Sequence, residues 1–351
     1  MATYINGMGM IWPQQPLGKT ALLSMAVSSA GERLTCIEPD YAQYLDVRQL
    51  RRMSRIIKIG MACGMDALRE AGIKIPSGII TGTSYGCLED TGSFLVKMIE
   101  NKEHALNPTP FIQSTHNTIG SQLALLLQCQ GYNQTYTHGA FSFESALLDA
   151  IMTLNDNPNQ HVLAGGADEI TNSSHAIQKR FGIFRKTSSD NLSLLKQGGE
   201  GTLNGEGAAY FLLGGTRGSD SVSLEGVTTI YKPDADHVRN VASVFLKSFS
   251  LLPGDVDVVM VGKSGDTSND LTIDNFVAGL FPTSTLCVFK HLTGEFPTAS
   301  AIAMALATRI IQAQHIPEIM IEKNAGRPLK TVLIYNPYFA SHHSLILLRA
   351  C

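Results

Sequence analysis

At 351 residues the chain exceeds what one ordinary hydrophobic core fills, so two packed halves are expected. Its 44% hydrophobic and 16% charged residues exclude intrinsic disorder, and a formal net charge of −3 supplies no basic field for nucleic acid. The six cysteines, at 36, 63, 87, 129, 287 and 351, form no CxxC pair and no Cys/His ligand spacing, which argues against a disulfide framework or a metal site. The first fifteen residues lack the charged and apolar regions of a secretion signal, and no apolar run is long enough to span a membrane. These features predict a cytoplasmic protein.

Short β-branched runs alternate with segments of helical period along the whole chain. Residues 46–72 predict one long helix. Ile56, Ile57, Gly60, Met61, Cys63, Gly64, Met65 and Leu68 recur on one side, and Gly72 ends it. A buried strand over 78–83 and helices over 87–103, after Asn117 and from near Ser142 follow. Strand 161–169, a polar glycine-rich stretch to about Asn204 and strand 207–215 complete a first half. The second half repeats the alternation: strand 222–231, helix 236–251, strand 256–262, a helix after Ser268, strand 284–289, helix 298–314, and a strand pair at 331–336 and 344–350. Continuous apolar strands indicate sheets covered by helices on both faces. The predicted domains are 1–218 and 219–351, two similar α/β units.

Seven segments, in order, carry a family resemblance: RRMSRIIKIGMACGMDAL (51–68), GIITGTSYG (78–86), LAGGADE (163–169), LNGEGAAYFLL (203–213), VGKSGDTSND (261–270), FKHLTGE (289–295) and NPYFASHHSLILL (336–348). Together they resemble the β-ketoacyl-acyl-carrier-protein synthases. The resemblance implies an α/β thiolase-like fold, with the two halves stacked as α-β-α-β-α layers.

That family condenses an acyl group with a malonyl unit held on a carrier protein. Its chemistry needs a thiolate at a helix N-terminus, where free N–H groups and the helix dipole lower the thiol pKa. It also needs two imidazoles beside the thioester carbonyl. The resemblance aligns the nucleophile with Ala140, the histidines with Val261 and Glu295, and the family's lysine with Lys290. A methyl group cannot carry an acyl chain, valine cannot exchange a proton, and a carboxylate would repel a developing enolate. Lys290 is expected to pair with Glu295, and Asp270 to keep a structural acidic position.

Around these positions His138, Ser142, Phe143, Phe339 and His342 are candidate pocket residues. Ser142 reads as a helix N-cap, Ser145 as packed a turn into the helix, and His138 as packed at a strand end. The family's glycine turn is here PYFASHH, whose bulk should narrow or close the pocket. The stretch 128–141 stands where the family's dimer strand lies. Phe111, Gln113, His116 and Asn117 are candidates to gate a partner's tunnel; Asn117 also reads as a helix N-cap.

Lost reacting groups on a retained scaffold resemble the chain-length factors of fatty-acid and polyketide-type pathways, including aryl-polyene and dialkylresorcinol systems. Such a subunit would pair with an active ketosynthase and an acyl carrier protein, or with itself. An acyltransferase rewired through Ser142, His138 or Glu295, and a module that only binds an acyl chain or carrier, are the alternatives. No HExxH, P-loop or Rossmann fingerprint occurs, so no metal or cofactor is expected.

Overall fold

The computed structural model describes residues 2–17, 22–23, 25–187 and 189–351. The strands of the first half are β1 (Thr3–Ile11), β2 (Gly78–Gly82), β3 (Tyr132–Tyr136), β4 (His161–Asp168) and β5 (Gly207–Gly214). Those of the second are β6 (Val222–Tyr231), β7 (Val258–Val261), β8 (Thr285–Val288), β9 (Ile321–Lys323), β10 (Thr331–Tyr338) and β11 (His342–Ala350). The first half runs in the spatial order β3-β2-β4-β5-β1, and the second in the order β8-β7-β10-β11-β6 with β9 added at its edge. In both, the first three strands are parallel and the last two join antiparallel. The same topology is therefore built twice. The halves meet where β1 pairs with β6 over Thr3–Ile5.

The principal helices are α1 (Arg55–Ala71), α2 (Leu88–Glu100), α3 (Pro108–Gln113), α4 (Thr118–Leu127), α5 (Ser142–Asp156), α6 (Asn172–Arg180), α7 (Ala235–Ser248), α8 (Thr267–Leu280) and α9 (Ala299–Ala313). α5 and α9 share one core with the inner faces of both halves, including Phe143, Leu147, Ile302, Leu306, Val162, Phe211, Ile334 and Ile346. α1 and α4 cover the outer face of the first half through Ile56, Leu123 and Leu163. α7 and α8 cover the second through Leu246, Ile273 and Val259. These are the α-β-α-β-α layers of a thiolase-like fold. α9 is buried from Ala299 to Ile311, so it shows no amphipathic stripe.

The helix expected over 46–72 is interrupted. Val47–Leu50 form one turn, capped by the Asp46 side chain on the Arg48 amide, and Ser54 is extended (φ −67°, ψ 168°) before α1 begins. Arg48, Gln49, Arg51 and Arg52 are exposed, and only Leu50 and Met53 of this segment pack against the core beneath α1. The stretch before Asn204 contains α6, which sequence periodicity missed. Its first turn is held by a reciprocal Thr171–Ser174 capping box, and no residue of the helix is buried. α3 was also unanticipated; Asn107 caps it ahead of Pro108.

α1 lies directly on β1 because glycine allows the approach. A Cβ on Gly9 would sit 2.1 Å from the Cys63 carbonyl oxygen, whereas one on Gly92, within α2, would meet nothing within 4 Å. Gly9→Ala is expected to destabilise the fold by roughly 1–3 kcal/mol or more, and Gly92→Ala to stabilise it by about 0.5–1 kcal/mol. Chemical denaturation of the two variants checks the contrast.

Candidate functional site

The candidate nucleophile position lies on the turn between β3 and α5. Gly139 adopts φ +56°, and Gly139–Phe141 form a single 3-10 turn leading into α5. Ala140 is buried there and presents only a methyl group. Ser142 is the first residue of α5 rather than its N-cap. Its hydroxyl accepts from the His138 amide (2.9 Å) and donates to the Gly139 carbonyl (2.7 Å), so it braces the turn upstream. His138 is exposed; its ring lies edge-on to Phe141 at 5.8 Å, and its Nδ1 lies 3.3 Å from Ser145 Oγ. Phe143 points into the central core against Phe211, away from this turn.

Opposite the turn, Lys290 donates to Glu295 Oε2 at 2.7 Å and to the Pro337 carbonyl at 2.8 Å. Lys290 is 0% exposed and Glu295 1%. Burial pushes the Glu295 carboxyl up to about 7, against the opposing pull of Lys290. Val261 faces the apolar cluster beneath α7 and α8. The position facing Lys290 is instead Gly262. A Cβ there would lie 2.6 Å from Asn336 Oδ1 and 2.8 Å from Lys290 Cε. Val261 is thus turned away from Lys290, because alternation along a strand turns neighbouring side chains to opposite faces. Neither position offers an imidazole. Lys290 and Asn336 occupy the space that a side chain at 262 would need.

Further acids cluster nearby. Glu144 is 1% exposed, and among the described residues neither of its oxygens has a hydrogen-bond partner. Burial raises its pKa; Ser300 and Ser344 temper that effect from outside hydrogen-bonding geometry. Asp168 Oδ1 accepts from Thr83 Oγ1 and the Ser84 and Tyr85 amides, and its Oδ2 from Thr298 Oγ1, tying the end of β4 to the start of α9. Burial moves Asp168 up to about 6 and Glu169 up to about 7. Asp270 accepts the Ser264 and Gly265 amides at 2.8 Å, a structural clamp on the loop after β7. Gly262, Glu144, Asp168 and Asn336 were not singled out from sequence. Only Asp168, within LAGGADE, lay in a quoted motif as an acid that could have been flagged.

A surface pocket of about 340 Å³ opens beside this centre, lined by Gly182, Ile183, Ser264, Asp266, Phe339 and Ala340, among others. Phe339 (φ +45°) and Ala340 (φ +52°) hold left-handed backbone with side chains present, at a cost of roughly 1–2 kcal/mol each. Phe339 packs on Tyr338 (4.4 Å between ring centres) and Phe184 (6.0 Å). His342 packs edge-on to Phe141 at 4.7 Å. Burial lowers the His342 pKa, with His138 and Lys232 adding to the effect. Aromatic rings therefore surround the turn where the family resemblance implied glycine. None of the four gate candidates lines this pocket. Phe111 is exposed against Phe94, Gln113 donates to the Arg52 carbonyl, and His116 abuts Gly86. Asn117 stands at the N-cap of α4 but its side chain caps no amide.

The family model for the β-ketoacyl synthase N-terminal domain matches residues 32–217. The chain belongs to the β-ketoacyl synthase family. No curated protein matches it. Among solved structures, it resembles the ishigamide ketosynthase/chain length factor at 17% identity, covering 100% of this chain and 99% of that one, with a TM-score of 0.80. A beta-ketoacyl synthase from Burkholderia phymatum STM815 is similar at 14% identity, with 100% and 99% coverage and a TM-score of 0.80. The ketosynthase ApeO in complex with its chain length factor ApeC, from Xenorhabdus doucetiae, is similar at 16% identity, with 100% and 98% coverage and a TM-score of 0.74. At these identities the likeness is one of fold. Among the described residues no helix is long and apolar enough to cross a membrane, and no cluster of His, Cys, Asp and Glu could hold a metal ion.

Two predictions follow from the buried charges. Lys290→Met strands Glu295 and is expected to cost roughly 3–5 kcal/mol, while Lys290→Met with Glu295→Leu recovers most of it; denaturant titration reads both. Glu169 and Glu295 have folded pKa values above their unfolded ones, so their contribution to stability is complete at low pH and declines as pH rises toward and through about 7. His291, lowered to about 4 by burial, acts in the opposite sense but only below its ordinary value near 6.5. The melting temperature is therefore expected to fall between about pH 5 and 7 and to level off above that, with Asp168 adding to the fall and His291 opposing part of it, and Glu169→Gln to flatten the fall. A melting temperature that rises over this window contradicts the assignment.

Proposed function

We propose that this chain is a chain-length-factor-like, non-catalytic subunit of a ketosynthase pair, working with an acyl carrier protein in fatty-acid or polyketide-type biosynthesis. The carrying observation is the buried Lys290–Glu295 ion pair, whose Glu295 the resemblance aligns with the family's second histidine. Ala140 and Gly262 leave the other two reacting positions without a nucleophile or an imidazole. The ketosynthase-with-chain-length-factor structures of similar fold support the reading, and aryl-polyene or dialkylresorcinol systems are its narrower form. The subunit is assigned to the cytoplasm. The domain boundary falls at 218/219, in the link between the repeated topologies.

The partner is a homologous active ketosynthase, with a second copy of this chain as the alternative. β3 is the edge of its sheet and is exposed over Tyr132, Asn133 and Gln134; an unpaired edge invites strand addition. Phe111, Gln113, His116 and Asn117 then belong to the shared face rather than to this chain's own pocket.

A second reading, acyl transfer by this chain itself, rests on the contact between His138 Nδ1 and Ser145 Oγ, a candidate base and nucleophile. One experiment separates the two: intact mass after incubation with acyl- and malonyl-loaded carrier protein, alone and with an active ketosynthase. The expected result is an unmodified chain alone, with condensation only in the mixture and with a product length set by this subunit. An adduct lost on Ser145→Ala or Ser142→Ala would overturn the non-catalytic reading.

A further inference from the structure

A continuous hydrogen-bonded chain of side chains runs from Glu32 at the surface to Tyr338, which precedes the pocket residue Phe339 in sequence. His175 Nε2 lies 3.3 Å from Glu32 Oε2, and Asn204 Nδ2 lies 3.2 Å from His175 Nδ1. The same Asn204 nitrogen donates to Gln178 Oε1 at 3.1 Å, and Gln178 Nε2 donates to the Tyr85 hydroxyl at 3.1 Å. The Tyr85 hydroxyl lies 3.4 Å from that of Tyr338. In the arrangement shown, the donors run in one sense. Asn204 donates to Nδ1, so neutral His175 carries its proton on Nε2 and gives it to Glu32.

We propose that His175 is a proton-sensitive control on the pocket, acting through this chain on Tyr338. A proton arriving at Nδ1 turns that atom into a donor facing the donor NH₂ of Asn204. The conflict is relieved when the Asn204 amide rotates to present its oxygen. Gln178 then rotates to donate to that oxygen and offers its own carbonyl to Tyr85. Tyr85 becomes a donor to Gln178 and accepts from Tyr338. Every group in the relay can work in both senses, so the reversed chain is as fully paired as the first. No bond other than hydrogen bonds changes, and the only species exchanged with solvent is the proton. The pocket's walls stand at the two ends. Gly182 and Ile183 follow α6, which bears His175 and Gln178, and Phe339 and Ala340 follow Tyr338.

The groups facing His175 suit the role. Its side chain is 11% exposed, which leaves a path for solvent protons. Glu32, from the segment before α1, is held below its ordinary pKa by hydrogen bonds from Lys179 and His175, so it remains a carboxylate to receive the imidazolium. Lys179, on α6 itself, pairs with the other Glu32 oxygen and opposes the added charge. Arg33 is engaged with Asn172 at the start of α6, and the Phe184 ring stacks on the imidazole at 6.2 Å. Burial raises the Tyr85 and Tyr338 phenols, so both keep the hydrogen that the relay requires.

The regulation goes beyond the subunit reading proposed above, and its test uses the chain alone, without carrier or ketosynthase, so the two fail independently. Nuclear magnetic resonance of the full chain, labelled at histidine nitrogens and at the tyrosine Cζ carbons, reads each end of the relay. Above the His175 midpoint the ring is expected as the Nε2–H tautomer. Across that midpoint the Tyr85 and Tyr338 Cζ signals and the Ile183 and Phe339 amides shift with the same pH dependence. In Gln178→Met, which leaves Asn204 in place, His175 still titrates while the tyrosine signals stay still; Asn204→Ala gives the same separation where it folds. Tyrosine signals indifferent to His175 in the unaltered chain, an Nδ1–H tautomer at high pH, or unbroken coupling in Gln178→Met would each overturn the proposal.

Discussion

The buried Lys290–Glu295 pair organises this molecule. Two charges with almost no solvent access are held at 2.7 Å, and the lysine also reaches the Pro337 carbonyl. One ammonium thus joins the loop after β8 to the hairpin of β10 and β11. Transferring two ions from water is expensive, and the attraction offsets that cost only when geometry is good and remaining valences are satisfied. Glu295 Oε1 and Asn336 Oδ1 are left without partners among the described residues. The arrangement therefore reads better as a means of holding one closed geometry than as a source of stability.

Closure has a second component, made of rings and strained backbone. The turn after β10 keeps left-handed φ at Phe339 and Ala340, with side chains where glycine would be free of strain. Those side chains and their neighbours Tyr338, Phe184 and His342 fill the approach to Ala140 and Lys290. The chain keeps a pocket at the surface while its interior is occupied by a salt bridge and aromatic packing. The pocket at the surface and the buried ion pair at the centre are separate features of the geometry.

The repeated strand order gives the centre its location. Each half carries parallel strands whose ends converge on the loops that bear Asp168, Gly262 and Lys290, and α5 and α9 run between the halves. Asp168 accepts four hydrogen bonds from three loop residues and Thr298, so the first half is locked to α9 beside the site. The edge strand β3 leads straight into the turn at Ala140. Any partner pairing along that edge would also stand against that turn, which couples assembly to the site's surroundings.

The layered α/β architecture and the order of most elements were legible in the amino-acid sequence. They rest on local signals: apolar runs of strand length and helical spacing. Legibility failed where a long-range contact decided the outcome. α6 has no buried residue to set a period and is specified by its capping box. Ser142 reads as a helix cap yet bonds backward to His138 and Gly139, because the turn before it had to be closed. Val261 and Gly262 cannot be told apart by spacing, since which one faces Lys290 depends on the twist of a strand end within the sheet. What the sequence by itself determined was the order of strands and helices and the family resemblance, because apolar spacing and motif order are local properties of the chain. What only the tertiary structure decided was what fills the vacated space: burial, partner distance and hydrogen-bond direction are properties of residues far apart in the chain and brought together by packing.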